Sequence, residues 1–380
     1  MNPPILQRHP ALRWLAPAGI ACVAGLVATG FFSFATPSPA SESLPATTPA
    51  ALIAAVQQPQ VEGFSGTVVT HVSLGLPEIP ALAGAGGTTT FAALLSGAHT
   101  LGVWYGGATR QRIALLGSTD ETDVFRDGAD LWEWRSDDSS AVHVVLPPRA
   151  AAGPALPATV NDLTPVELAQ HLLNAMQPTT RVTVAEHQQV ADRSAYDLVL
   201  TPRDTGTKIG EVRIAVDGRT KVPLGVQVTA RGASTPSLDV AFTKIQFGRQ
   251  PDRAFRFTPP ANASVRTLTR HPAPATGDPA RRGPVTRRPV GGGPVKPSRT
   301  AAEPTLTGRG WSAVVTVRPA AKAMDQLRRS VASTLEPVHG SWGRGYLLDS
   351  DLLSALITND GRVLVGAVPA SSLYAAAARK

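Results

Sequence analysis

From Phe64 onward, apolar and polar residues alternate with a period of two, the spacing of a half-buried β-strand. The alternation predicts about eleven strands, near 64–74, 98–105, 110–117, 121–126, 130–135, 141–147, 180–190, 193–201, 208–217, 221–230 and 237–247. Asp127-Gly128 and Asp217-Gly218 fall between such runs, where glycine accepts the positive φ of a hairpin turn. Strands joined in tandem by short turns predict an antiparallel meander rather than βαβ units. Two helices flank or interrupt it. Thr48-Pro49 opens a short helix through Gln58, with proline at the first helical position. Thr164 and Glu167 form a capping box ahead of an apolar stripe, Val166, Leu168, Ala169, Leu172, Leu173 and Met176, which predicts a helix over 163–176.

Two helices are too few to cover eleven strands, and a sheet that wide must curl or close. The inward positions expected from the alternation are Val68, Val103, Ile113, Leu115, Trp132, Trp134, Val142, Val144, Val182, Val184, Tyr196, Leu198, Val212, Ile214, Val226, Val228, Leu238 and Val240. Trp132-Glu133-Trp134 sets two indoles on one side of a strand. A curled sheet with incomplete cover leaves an apolar concavity suited to a lipid or acyl chain. The candidate lipid-binding residues are Val68, Val103, Ile113, Leu115, Trp132, Trp134, Val144, Tyr196, Leu198, Ile214 and Val228. The Gly-rich apolar stretch 75–97 is either a flap over that surface or an unstructured insertion.

Upstream, Trp14–Ala35 is a 22-residue uncharged apolar run, long enough to cross a bilayer. Arg8 and Arg13 precede it and no Lys or Arg follows until Arg110, which places 1–13 in the cytoplasm and the remainder outside. An uncleaved anchor is the preferred reading. A cleaved signal peptide ending near Ala35 or Ala40, and a lipoprotein leader at Cys22, are the alternatives, and all three export the chain. Residues 36–47 form a Pro/Ser/Thr/Ala spacer. Cys22 is the only cysteine, so no disulfide and no thiolate chemistry is available to the exported part.

The net charge of +8 at first suggests nucleic acid. Its location argues otherwise. Residues 266–299 carry eight of the cations against the single acid Asp278, in a stretch dense with Pro and Gly. A segment 266–305 of that composition reads as a disordered basic linker, with weak contact to anionic headgroups as the alternative. Beyond it, 306–380 predicts a small α/β module: strands at 311–317, 345–348, 353–358 and 363–368, helices at 320–334 and 370–378, and a turn at Asn359-Asp360-Gly361. About 70 residues without disulfides are marginal alone, so the module is expected to dock on the main domain.

No catalytic constellation emerges. Gly63-Phe64-Ser65-Gly66 misspaces a nucleophile elbow, and the eight histidines are scattered without metal-ligand spacing. Asp120, Glu121, Asp123, Asp127 and Asp130 lack the ligand pattern of a calcium loop. No cofactor or metal is expected, and no enzymatic activity.

Phe64-Ser65-Gly66-Thr67-Val68 opening a meander after an exported helix, and the ending Phe255-Arg256-Phe257-Thr258-Pro259-Pro260 through Val265, resemble the LolA-like superfamily. The resemblance spans roughly 48–265, and 96–146 is similar to its actinobacterial branch. It implies an α+β fold, mostly antiparallel: a curled unclosed β-barrel with helices on the concave face. The superfamily includes lipoprotein carriers and MucB/RseB sigma-factor regulators, so the resemblance implies acyl-chain binding without catalysis. Simple carriers lack the linker and second domain, whereas a regulator of the RseB arrangement adds a partner membrane protein. The expectation is a membrane-tethered extracytoplasmic lipid- or lipoprotein-binding protein, with an envelope-signalling regulator as the alternative.

Overall fold

A computed structural model describes residues 44–57, 61–76, 94, 96–146, 178–269 and 302–379. Helix α1 (Pro49–Gln57) precedes a meander of eleven strands: β1 (Phe64–Val72), β2 (Gly97–Tyr105), β3 (Arg110–Leu116), β4 (Glu121–Asp127), β5 (Asp130–Arg135), β6 (Ser140–Val145), β7 (Thr180–Val190), β8 (Arg193–Pro202), β9 (Ile209–Asp217), β10 (Pro223–Ala230) and β11 (Pro236–Phe247). These are the eleven strands the alternation predicts, shifted by a residue or two at their ends. A twelfth, β12 (Ser264–Thr269), lies parallel to β6 and falls at the start of the stretch read as linker. The order is β12-β6-β5-β4-β3-β2-β1-β11-β10-β9-β8-β7, antiparallel except at β12, and the two edges do not pair. The sheet curls enough for β7 to touch β11, four places away in that order. The α+β, unclosed half-barrel class is therefore the observed one.

Local chemistry explains the punctuation. Thr48 caps α1 by accepting the Ala51 amide at Oγ1, leaving Pro49, which has no N–H, at the first position. Gly128 takes φ +63° in the β4–β5 turn, as the Asp-Gly pair predicts. At Asp217-Gly218 the reason differs: the positive φ belongs to Lys221, and a Cβ on Gly218 would come within 2.3 Å of a Leu44 methyl. That glycine serves close approach rather than turn dihedrals.

The core sits between α1 and the β7–β11 side of the sheet. Leu52 of α1 packs with Val72, Tyr196, Leu198, Val212, Val228 and Val240, all buried. After β11, residues 248–263 lead to β12 at the far edge, so they cross from the middle of the sheet over β1–β6. Phe255, 1% exposed, lies beside Gly106 and under the Arg110 guanidinium. This segment is a strap that ties the strands it crosses.

The second unit is a six-stranded sheet, order β13-β14-β18-β17-β16-β15: β13 (Ala302–Thr307), β14 (Val314–Arg318), β15 (Glu336–Gly340), β16 (Gly343–Asp349), β17 (Ser354–Thr358) and β18 (Val363–Gly366). Helix α2 (Ala321–Val331) carries Met324 and Val331 into a core with Ile357, and α3 (Ala370–Ala378) carries Leu373 and Ala377 into a core with Leu356. Leu356 and Ile357 are adjacent on β17, so the helices cover opposite faces. Strands β13 and β15 escape the sequence reading, and the expected strand at 311–317 begins instead as a 3₁₀ turn at Gly310–Ser312. Lying in neither helix nor alternating apolar run, Glu336–Gly340 has almost no side-chain burial to announce it.

The module docks on the large sheet, as its size demands. Leu352, Trp311 and Ala367 join the α1 core. Trp311 Nε1 donates to Thr180 Oγ1 at 2.7 Å, the Lys208 amide and Thr207 hydroxyl both donate to Ala367 O, and the Asp351 amide donates to Leu74 O. The expected anchor Trp14–Ala35, helix 163–176, most of loop 75–97 and residues 270–301 of the linker lie outside the described residues. Among the described residues no helix is long and apolar enough to cross a membrane.

Candidate ligand-binding face

Strand register sorts every side chain onto one of two faces. Val68 faces Leu101, which faces Leu115, and Val103 faces Ile113, which faces Val124. The row continues through Glu133 and Val142, and beside it Arg126, Leu131 and Val144 align. On the other side Val240, Val226, Ile214 and Leu198 form one row, and Leu238, Val228, Val212 and Leu200 the next. Together these define the face that α1 covers.

Nine of the eleven candidate residues share that face: Val68, Val103, Ile113, Leu115, Val144, Tyr196, Leu198, Ile214 and Val228. They divide by cover. Tyr196, Leu198 and Val228 are buried in the core with α1, and Val68 and Leu115 are buried as well. Val103, Ile113 and Val144 are half-buried, as are Val124, Leu131 and Val142 beside them. These six aliphatics form a band across β2–β6 that lies away from the α1 core; Glu133 stands within it, between Val124 and Val142, and Arg126 and Arg135 flank it on the same face.

Trp132 and Trp134 do not belong to it. Trp132 stands opposite Phe125 and His143, and Trp134 opposite Asp123 and Ala141, one residue out of phase with Val144 and Leu131. The indoles therefore lie on the reverse face. There the strap packs on them and leaves them half-buried: Phe257 is 5.0 Å from Phe125 and 5.5 Å from each indole, centroid to centroid. The Arg112 guanidinium is held between Trp104 at 4.5 Å and Phe125 at 4.7 Å while Nε donates to the buried Asp123. The signal for this was present in Phe255-Arg256-Phe257, whose aromatics need a sheet face of their own.

The acidic cluster is likewise structural. Asp123 pairs with Arg112, Asp127 with Arg256 and Asp130 with His143. No group of three or more potential metal ligands occurs among the described residues.

A second feature has no local sequence signal, because its walls come from both units. A cleft of about 690 Å³ lies between Gly75, Thr205, Thr207, Lys208 and Ala230–Ala233 on the large sheet and Asp349, Ser350, Asp351 and Pro369 on the module. Lys208 Nζ donates to Asp349 Oδ1 and to Ser350 O, both at 2.6 Å. Burial pushes the Asp349 carboxyl up, but hydrogen bonds from Lys208 and Ser354 outweigh it and hold the group below the ordinary carboxylate range.

No protein-family description matches the chain, and no curated protein matches it. Solved structures similar to it include the MucA/MucB complex of Pseudomonas aeruginosa, at 16% identity and a TM-score of 0.41, covering 86% of this chain and 95% of that one. An uncharacterized conserved protein from Thermus thermophilus shares 10% identity at a TM-score of 0.33, over 57% of this chain and 98% of that one. A LolA superfamily protein from Nitrosomonas europaea shares 13% identity at a TM-score of 0.22, over 56% and 99%. These likenesses concern the fold.

Proposed function

We propose that this is an extracytoplasmic lipid- or lipoprotein-binding protein, tethered by Trp14–Ala35, that holds acyl chains against the α1 face over β2–β6. The observation that carries the reading is the band Val103, Ile113, Val124, Leu131, Val142 and Val144, aliphatic across five strands yet only half-buried. Aliphatic side chains left half-buried in such a cluster mark an interaction site, and a methylene buried on it is worth about 0.8 kcal/mol. Arg126 and Arg135 at the margins and Glu133 within it give the surface a few fixed polar points. The full chain, purified in non-ionic detergent and subjected to lipid extraction and mass spectrometry, is expected to yield a stoichiometric acyl lipid. Repeated extraction of none, together with no uptake of an acyl probe, overturns the reading.

A regulator that grips a partner membrane protein is the second reading, favoured by β15. This strand ends the second sheet, its side chains are mostly exposed, and an edge strand is a template for an incoming extended segment. Co-purification of a specific membrane protein that Val338→Pro abolishes supports this reading, and recovery unaffected by Val338→Pro counts against it.

A further inference from the structure

Both walls of the cleft between the two units carry charge, and the charges are segregated. The sheet wall supplies Lys208 and Arg231, the module wall Asp349 and Asp351. Arg231 uses Nε and Nη2 on the carbonyls of Thr207, Asp204 and Ile209. Those bonds fix the guanidinium, Nη1 makes no hydrogen bond among the described residues, and the Asp204 carboxylate is its charged neighbour. Asp351 lies against Gly75, where a Cβ would sit 3.2 Å from its Oδ1, and its carboxylate makes no ion pair among the described residues. The Lys208–Asp349 bridge joins the same two walls, and its acid side chain is 50% exposed. The solvated carboxylate leaves this bridge open to competition by an incoming ion, although the Lys208 side chain is only 17% exposed.

A simple anion suits this cleft poorly, because two carboxylates face it. A simple cation meets the opposite objection. A small zwitterion meets neither, since each of its ends finds an opposite charge and the Lys208–Asp349 pair is replaced rather than lost. We propose that the cleft binds an ethanolamine-phosphate group, with phosphate oxygens on Arg231 Nη1 and Lys208 Nζ and the ammonium on Asp351 and Asp349. Phosphate offers enough acceptors for both cations, and a primary ammonium has three donors for two carboxylates. The cleft is open to solvent and large enough to admit so small a group.

The cleft also adjoins apolar surface. Ala230 lines it and packs on the α1 core, while the buried Leu74 and Leu352 neighbour Gly75 and Asp351. The aliphatic band lies toward the other end of the same strands, since Val103 pairs with Gly66, nine residues before the cleft residue Gly75. The inference goes beyond the proposed acyl-binding function and does not rest on it.

The test titrates the full chain in phosphatidylcholine nanodiscs with free ethanolamine phosphate, inorganic phosphate and ethanolamine by calorimetry. Ethanolamine phosphate is expected to bind at least about tenfold tighter than either half, and Asp351→Asn to weaken it by about tenfold while leaving inorganic phosphate unchanged. Asp351 is exposed, so this variant folds, and a melting curve checks that it does. Doping the nanodiscs with phosphatidylethanolamine separates the sources: a fall in apparent affinity for the free compound assigns a lipid headgroup, and no change assigns the soluble compound. Equal affinity for inorganic phosphate, no binding at millimolar concentration, or indifference to Asp351→Asn overturns the inference. Uptake of a fluorescent fatty acid in the same samples reports separately on the aliphatic band, so failure at the cleft with normal uptake leaves the acyl reading standing.

Discussion

Replacing Ile113 by Glu places a carboxylate in the middle of the proposed acyl surface. Ile113 lies directly between Val103 and Val124 on the same face, so the new charge has apolar neighbours on both sides and no cation across either strand pair. Two terms then act on a bound chain. Contact with the isoleucine methyls is lost, at about 0.8 kcal/mol per buried methylene, and the carboxylate must be desolvated beneath the ligand, at about 2 kcal/mol or more. Their sum, about 3 kcal/mol, lowers acyl affinity by about a hundredfold. Folding suffers less, by about 1 kcal/mol, because Ile113 is only half-buried to begin with. The assay is displacement of a fluorescent fatty acid from the full chain, with a urea melt to confirm the fold. Val265→Glu is the control: that residue is 47% exposed, stands beside Ala141 on the reverse face, and should change neither readout beyond about 0.5 kcal/mol. Wild-type affinity in folded Ile113→Glu, or an equal loss in Val265→Glu, refutes the assignment of the face.

Other consequences concern the scaffold. Phe255→Ala removes the strap's fully buried ring and should destabilise the large sheet by about 3–5 kcal/mol in denaturant titration. Asp217 accepts bonds from Arg193 and from the Thr220 amide and hydroxyl. Asp217→Ala should therefore cost about 3 kcal/mol, read by the same titration. Burial raises the Asp217 and Asp349 carboxyls, but their hydrogen-bond and cationic partners outweigh it, so both lie below the ordinary range. A depressed folded pKa gives stability that is present above the unfolded value of about 4 and is lost as pH falls through the folded value. Melting temperature should thus decline on acidification below about pH 4, and the decline should shrink in Asp217→Ala.

The meander was legible because burial on one face imposes a period of two on the sequence, and the Thr48-Pro49 helix start because capping is a local bond. Faces were harder. In β5 both sides are amphipathic: Leu131 and Glu133 point with Val144 and Val142, and the indoles point with Phe125 and His143. Hydrophobicity alone therefore put Trp132 and Trp134 on one side with Val142 and Val144, and only register separates them. Strand β12 was illegible because Arg266 falls at its third position and the basic composition continues beyond it. The cleft could not be read at all, since Lys208 and Asp349 are brought together by docking across 141 positions. Gly218 shows the same limit on a smaller scale, its constraint being Leu44 rather than the turn.

The central claim is that acyl chains lie on the α1 face over β2–β6. Photo-crosslinking the full chain with a diazirine-bearing fatty acid, followed by peptide mapping, tests it most directly. Adducts on Val103, Ile113, Val124, Leu131, Val142 or Val144 are the expected result. Adducts confined to the reverse face around Trp132, Trp134 and Phe257, or none at saturating probe, contradict it.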